Sequence, residues 1–107
     1  MNYQCRLCKL VRYRISQLIR DGGGEPLVHT ADRDEYHDRL RDKLREEVAE
    51  FLAADDNAAP EELADVLEAV HALAADLGGR DRLEQLRAAK AAECGGFSDR
   101  VVWRGNR

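Results

Sequence analysis

Positive charge and long apolar runs are both scarce in this chain. Its 107 residues include 17 Lys and Arg against 21 Asp and Glu, which gives a net charge of −4. This balance argues against a general nucleic-acid binder, because phosphate backbones require a surplus of clustered cations. Charges interrupt every apolar stretch, and no charged-then-hydrophobic leader opens the chain. We therefore expect a soluble, cytoplasmic protein that binds neither membranes nor nucleic-acid polymers, whereas free nucleotides are not excluded.

Cysteine is also sparse. Cys5 and Cys8 form a single CxxC motif, and Cys94 lies near the other end of the chain. A structural zinc site usually takes four ligands in two pairs. The missing second pair favours reduced thiols of a cytoplasmic protein over a zinc or redox site.

The length predicts one domain, residues 1–107, with a single core. Glycine runs divide it, and the segments between them have helical patterns. We predict a helical stretch within 9–21 after an extended start, and helices at about 32–54, 60–77 and 80–93. Thr30 or Asp32 would cap the second of these four. The tail FSDRVVW predicts a short strand.

The expected fold class is therefore all-α. Its centre is an antiparallel hairpin formed by the helices at 32–54 and 60–77. A third helix and short extended segments at the termini complete the domain. Pro60 suits the first turn of its helix, where the missing N–H would have had no partner.

Acidic residues recur at matched spacing on the two long predicted helices. Glu47 and Glu50 lie in LREEVAEFL, and Glu62 and Asp65 lie in EELADVLEAV. Residues three apart project from one face of a helix, so each helix offers two oxygen ligands in one direction. Such ligands suit Mg²⁺ or Mn²⁺ rather than Zn²⁺, and Mg²⁺ often takes substrate phosphates as further ligands. The spacing predicts a divalent-metal site in a phosphate-processing enzyme.

The apolar face of the 32–54 helix bears on whether these acids are ordinary surface charges. Glu47 falls inside the apolar stripe, Glu50 lies on its flank and Glu46 lies further out. A buried carboxylate needs a cation, a partner or a proton. Lys43 offers an alternative to metal, because it lies one turn before Glu47 and can form an i,i+4 ion pair with it. Such pairs are common on charged helices and contribute only ~0.2–0.5 kcal/mol.

The 60–77 helix shifts the balance toward metal. Nearly every side of it is apolar, so its acids Glu62 and Asp65 lie on a mostly buried helix and would repel those of the first helix without a cation. A helix that is apolar all round also needs partners on several sides, which one hairpin cannot supply. We expect a homo-oligomer, which light scattering at micromolar concentration would detect.

The acidic positions form the pattern Glu46-Glu47-x-x-Glu50 followed by Glu62-x-x-Asp65. This pattern resembles the EExxE and ExxD motifs of the MazG-like, all-α nucleoside triphosphate pyrophosphohydrolases. Two terminal segments extend the resemblance to about residues 7–103. KLVRYRISQLIR at 9–20 resembles the KLVRDKIPEII opening of the phosphoribosyl-ATP pyrophosphohydrolase-like branch, and KAAECGGFSDRVV at 90–102 resembles its KxxxRGGF ending.

The chain departs from that branch at three positions. Tyr13 stands where the branch has Asp, Ser16 where it has Pro, and Cys94 where a basic residue is usual. The acidic motifs are intact.

The resemblance implies a magnesium-dependent cut between the α and β phosphates of a nucleoside triphosphate, giving a monophosphate and pyrophosphate. Glu47, Glu50, Glu62 and Asp65 would hold the metal, and Glu46 would orient or deprotonate the attacking water or hold a second ion. Cations would bind the triphosphate. The candidates are Lys9, Arg12, Arg14 and Lys90 from the terminal motifs, and Lys43 from its position beside the acids.

The family also implies a dimer or larger assembly with a four-helix core between subunits. Three functions stay open. The first is a house-cleaning pyrophosphohydrolase, the second is the phosphoribosyl-ATP pyrophosphohydrolase of histidine biosynthesis, and the third is a non-catalytic helical module whose acids bind a structural ion or form salt bridges.

Overall fold

The computed structural model describes residues 8–107, and this part of the chain contains four helices and no strand. The helices are α1 (Ile15–Asp21), α2 (Arg33–Ala53), α3 (Ala59–Ala74) and α4 (Arg80–Cys94). The all-α prediction is therefore confirmed. Cys5 lies outside the described residues, so the CxxC motif is described only at Cys8, which is exposed.

Local capping explains where the two long helices begin. The Asp32 side chain accepts a hydrogen bond from the Glu35 backbone N–H at 2.9 Å, so Asp32 rather than Thr30 is the N-cap of α2. Before α3, Asp55 Oδ1 accepts from the N–H groups of Asn57 at 3.0 Å and Ala58 at 2.9 Å. Pro60 is the second residue of α3, as its missing N–H predicts.

α3 ends three residues before the predicted Leu77. The backbone N–H groups of Leu77 and Gly79 both donate to the Ala74 carbonyl, at 2.9 and 2.8 Å. Gly78 and Gly79 have φ values of 100° and 90°, a region that glycine enters without a steric penalty. The chain therefore leaves the helix in a tight turn that the apolar pattern does not reveal.

The predicted strand in the tail FSDRVVW is wrong. The Arg100 backbone N–H donates to the Phe97 carbonyl at 3.1 Å, and Arg100 has a φ of 62°. This turn interrupts the extended backbone that a strand requires, and the described residues contain no other strand with which it could pair. The tail sequence alone was therefore insufficient evidence for a strand here.

The chain divides into two compact units, Met1–Leu73 and Ala74–Arg107. The prediction of one domain over 1–107 stays a prediction. All five motif acids belong to the first unit, where Leu40 of α2 and Ala69 of α3 are buried. No described helix has both the length and the apolar character needed to cross a membrane.

Candidate metal centre

Three carboxylates from two helices meet in the first unit. Glu47 comes from α2, and Glu62 and Asp65 come from α3. One oxygen of each lies within 4.8 Å of the others. Glu47 is only 6% exposed, which confirms the prediction that it lies in the apolar seam of its helix. The fold therefore gathers three of the four predicted metal ligands around a buried carboxylate.

Glu50 belongs to a second group. Its carboxylate oxygen lies within 4.8 Å of those of Glu46 and Glu47. The four predicted ligands Glu47, Glu50, Glu62 and Asp65 are therefore not gathered in one group; they are divided between two groups that share Glu47. We call the five acids Glu46, Glu47, Glu50, Glu62 and Asp65 the carboxylate cluster.

Two oxygens of the cluster are buried without a partner. Glu47 Oε2 and Glu62 Oε2 are inaccessible to solvent and accept no hydrogen bond from the described residues. A buried carboxylate oxygen without a donor is costly, and an ion, a water molecule or a catalytic role commonly explains such an atom. Hard oxygen donors are the ligands that Mg²⁺ and Mn²⁺ prefer. The residues present therefore fit a divalent cation.

Three of the predicted substrate-binding cations lie at the cluster itself. Lys43 Nζ lies 3.0 Å from Glu47 Oε1 and 3.3 Å from Glu46 Oε2. Lys9 Nζ lies 3.2 Å from Glu46 Oε1, and Arg12 Nη2 lies 2.9 Å from Asp65 Oδ1. The i,i+4 pair between Lys43 and Glu47 that the sequence offered as an alternative to metal is thus present.

These ion pairs leave negative charge in excess. The cluster has five carboxylates, and three cations pair with it. Its formal charge is therefore −2, which one divalent cation would balance. The ion pairs alone do not account for the acids.

The cations also change how two acids bind protons. Burial raises the pKa of Glu46, but the hydrogen bond from Lys9 and the charge of Lys43 outweigh it and hold the pKa below its ordinary value. The negative charge of Glu47, followed by burial and the charges of Glu46 and Glu62, raises the pKa of Glu50. Partial burial lowers the pKa of Lys43, yet its hydrogen bond to Glu47 and both glutamate charges raise it overall.

The exposure of Glu46 and Glu50 differs from the prediction. Glu50 is exposed, whereas Glu46, which was expected further out, is partly buried. Lys9 and Lys43 approach Glu46 from two sides and cover it. A helical wheel for α2 cannot show this, because Lys9 comes from a distant part of the chain.

A cavity of about 310 Å³ adjoins the cluster within the first unit. Glu47, Asp65, Lys43 and Arg12 line it. Most of the remaining wall is aliphatic or aromatic, from Leu10, Val11, Leu40, Ala69, Tyr13 and Tyr36. Its volume lies at the lower end of the ~300–1,000 Å³ typical of small-molecule sites. The cavity thus combines an acidic and cationic region with an apolar one.

The other two predicted substrate-binding cations have different surroundings. The Arg14 guanidinium lies 5.9 Å from the centre of the Tyr13 ring, and both side chains are exposed. Lys90 is exposed on α4, in the second unit. Their assignment as phosphate ligands stays a prediction.

Two residues of the cavity and one buried acid outside it were missed from the sequence. Tyr36 lies seven residues before Lys43 on one face of α2, and Glu68 lies three residues after Asp65 on α3; both line the cavity. Their helical spacing from the predicted ligands was the signal that could have found them. Glu35 is 2% exposed, and its carboxylate accepts from Arg39 Nε at 3.3 Å and contacts His29 Nε2 at 2.9 Å.

The raised pKa of Glu50 predicts how stability depends on pH in the presence of a chelator. Because the pKa of Glu50 is higher in the folded state than the ordinary value of 4.5, Glu50 contributes to the stability of the folded state below pH 4.5. This contribution is lost as the pH rises through the raised pKa. The melting temperature of Glu50→Gln minus that of the wild type should therefore increase as the pH rises above 4.5. Thermal unfolding followed by circular dichroism measures both proteins across the range.

Glu84 supplies a control of opposite sign. The hydrogen bond from Arg87 lowers its pKa, so its contribution is present above pH 4.5 and is lost as the pH falls through the lowered value. The melting temperature of Glu84→Gln should accordingly fall relative to the wild type as the pH rises from the lowered pKa to 4.5. The same slope for both variants would contradict the proximity of Glu50 to Glu47.

Comparison with known proteins assigns no activity. No protein-family model matches the chain, and no solved structure matches it. A protein of Mycolicibacterium smegmatis, named only as an uncharacterized protein, is 51% identical over 49 residues. The match covers 46% of this chain and 50% of that protein, so the chain spans about half the length of the curated relative that it matches. The geometry of the cluster and cavity therefore carries the functional argument.

Proposed function

We propose that this chain is a magnesium-dependent pyrophosphohydrolase that cleaves the α–β phosphoanhydride bond of a nucleoside triphosphate. The observation that carries the proposal is the buried carboxylate of Glu47. It meets Glu62 and Asp65 within 4.8 Å, has an oxygen without a partner among the described residues, and borders a cavity of ligand size. The motif resemblance supplies the reaction type, and Mn²⁺ is an alternative ion.

The carboxylate cluster defines the roles of the acids in this proposal. Glu47, Glu62 and Asp65 hold the cation, and Glu50 completes the ligand set through the group that shares Glu47. When bound, Mg²⁺ supplies neutralisation of phosphate charge and a more acidic water. The lowered pKa of Glu46 makes it a weak base, so it serves better to orient water through a hydrogen bond than to deprotonate it.

The cations at the cluster suit the phosphates. Once the carboxylate charge is balanced, the Lys43 ammonium and the Arg12 guanidinium can pair with phosphate oxygens at the acidic end of the cavity. Lys9 can do the same from its position at Glu46. Arg14 and Lys90 are proposed phosphate ligands on the motif resemblance alone.

The proposed assembly is an antiparallel hairpin of α2 and α3 that pairs in a homodimer. A connection of five residues, 54–58, joins the helices, and Glu47 near the end of α2 meets Glu62 near the start of α3. Large apolar side chains of both helices are exposed in the single chain, with Leu52 75%, Leu63 52% and Leu67 52% accessible. A second copy that covered them would complete a four-helix core.

Two other functions keep specific support. Cleavage of phosphoribosyl-ATP uses the same bond and the same acids, and the terminal motifs resemble that branch. A non-catalytic module is favoured by the ion pairs of Lys9, Lys43 and Arg12 with the cluster and by Tyr13 in place of an acid. In that case the acids hold the fold together through salt bridges or a structural ion.

Product analysis across a panel of nucleotides tests the proposal. We expect the chain to release pyrophosphate and a monophosphate from at least one ribo- or deoxyribonucleoside triphosphate with Mg²⁺, and not with a chelator. Phosphoribosyl-ATP belongs in the panel, because its preferential cleavage would select the histidine-pathway alternative. A diphosphate with orthophosphate would place the cut at the wrong bond, and no cleavage of any compound would leave the non-catalytic module.

A further inference from the structure

One acid in the cavity has no role in the carboxylate cluster. Glu68 lies on α3 three residues after Asp65, which is roughly 4.5 Å further along the helix axis. It lines the same cavity as Glu47 and Asp65. Within residues 8–107 it forms no hydrogen bond or salt bridge. Its carboxylate is therefore available to a molecule in the cavity.

The surroundings of Glu68 indicate which part of a nucleotide it would meet. The phosphates belong at the cluster, where Lys43 and Arg12 lie. A carboxylate repels phosphate, whereas the aliphatic and tyrosine walls, including Tyr36 and Ala69, suit a planar base. A nucleotide with its phosphates at Glu47 and Asp65 therefore directs its base toward Glu68 and these walls.

We propose that Glu68 selects the base by accepting hydrogen bonds from an exocyclic amino group. This inference rests on the proposed function, since it requires a nucleotide in the cavity. An ionised carboxylate has only acceptors, and Glu accepts from the amino group of cytosine in other protein sites. Bases with an amino group can therefore donate a hydrogen bond to Glu68. Their counterparts have a carbonyl oxygen at the same position, and two acceptors that face each other repel.

The proposal names three pairs of bases in which a carbonyl replaces the amino group and the neighbouring ring nitrogen gains a proton. Cytosine is preferred to uracil, adenine to hypoxanthine, and guanine to xanthine. A hydrogen bond to a charged group is stronger than one between neutral groups, so we expect a preference of at least about tenfold in each pair that the cavity accepts. Glu68→Gln keeps the side-chain length but offers both a donor and an acceptor, which should reduce the preference to about one.

Two measurements on the full chain separate this proposal from the enzymatic one. The first is binding of the paired nucleoside monophosphates with Mg²⁺ by calorimetry, and the second is kcat/KM for the paired triphosphates. Wild type, Glu68→Gln and the control Glu61→Gln are compared. Glu61 is exposed on the first turn of α3 and does not line the cavity, so its variant should keep the wild-type preference. Circular dichroism confirms that each variant folds.

The outcomes distinguish the two proposals. An amino preference that Glu68→Gln loses and Glu61→Gln keeps supports base selection, even if no triphosphate is cleaved and the enzymatic proposal fails. Hydrolysis without an amino preference, or with one that Glu68→Gln retains, overturns base selection and leaves the enzyme. The absence of binding by every monophosphate also overturns it.

Discussion

Replacement of Glu47 by glutamine is expected to lower the proposed magnesium-dependent hydrolysis by at least about a hundredfold, since mutation of residues that only support metal ligands already costs about 10–100-fold. Glu47 is the member that both carboxylate groups share, and its Oε2 is buried without a partner among the described residues. Glutamine keeps the shape of the side chain but removes its charge. Pyrophosphate release under saturating substrate measures the loss.

A binding measurement shows whether metal is the cause. A ligand that binds only the folded state raises its stability, so Mg²⁺ should raise the melting temperature of the wild type and raise that of Glu47→Gln much less. Asp42→Asn is the matched control, because Asp42 lies on the same helix, is 64% exposed and pairs with Arg45, which is not a partner of the cluster. Wild-type hydrolysis by Glu47→Gln would show that the cluster is not the catalytic centre.

Replacement of Lys43 by methionine is expected to destabilise the protein by about 3 kcal/mol in the presence of a chelator, as happens when one partner of a buried ion pair is removed. Lys43 is the partner of Glu47, whose side chain is only 8% exposed, and it also pairs with Glu46. Without it a buried carboxylate loses its cation, while methionine keeps the apolar stem. Urea denaturation in a chelator measures the change.

Magnesium should restore part of this loss, because a divalent ion supplies the charge that Lys43 provided. The gain on adding Mg²⁺ should thus be larger for Lys43→Met than for the wild type. Arg45→Met is the control, since the Arg45–Asp42 pair is exposed and such pairs contribute at most about 1 kcal/mol. Equal destabilisation by the two variants would mean that Lys43 and Glu47 are not coupled as the structure describes.

The sequence predicted what depends on local spacing. The helices, the Asp32 cap and the burial of Glu47 all follow from neighbours within about one turn, so apolar periodicity and capping chemistry were sufficient. The sequence could not place Lys9 against Glu46 or Arg12 against Asp65. These pairs are 37 and 53 residues apart, and their contact depends on how the N-terminal segment packs on the two helices.

The same limit explains the error in the tail. The strand was predicted from the tail sequence alone, but a strand needs a neighbouring edge for its backbone groups. The turn at Arg100 and the exposure of Trp103 show that the described chain provides no such edge. Tyr36 and Glu68 were missed for another reason. Each lies at helical spacing from a predicted site residue, but only the structure shows that a cavity adjoins that face of the helix.

The short segment 8–12 binds both α2 and α3, the two long helices that follow it in the chain. Arg39 Nη1 of α2 donates to its Cys8 carbonyl at 3.1 Å, and its Lys9 reaches Glu46 of the same helix. At the other end, Arg12 reaches Asp65 of α3 at 2.9 Å. Lys9 and Arg12, which attach this segment to the helices, are also the cations that would pair with the phosphates of a bound triphosphate. Under the proposed function, substrate binding and the attachment of this segment to α2 and α3 would therefore compete for the same two side chains.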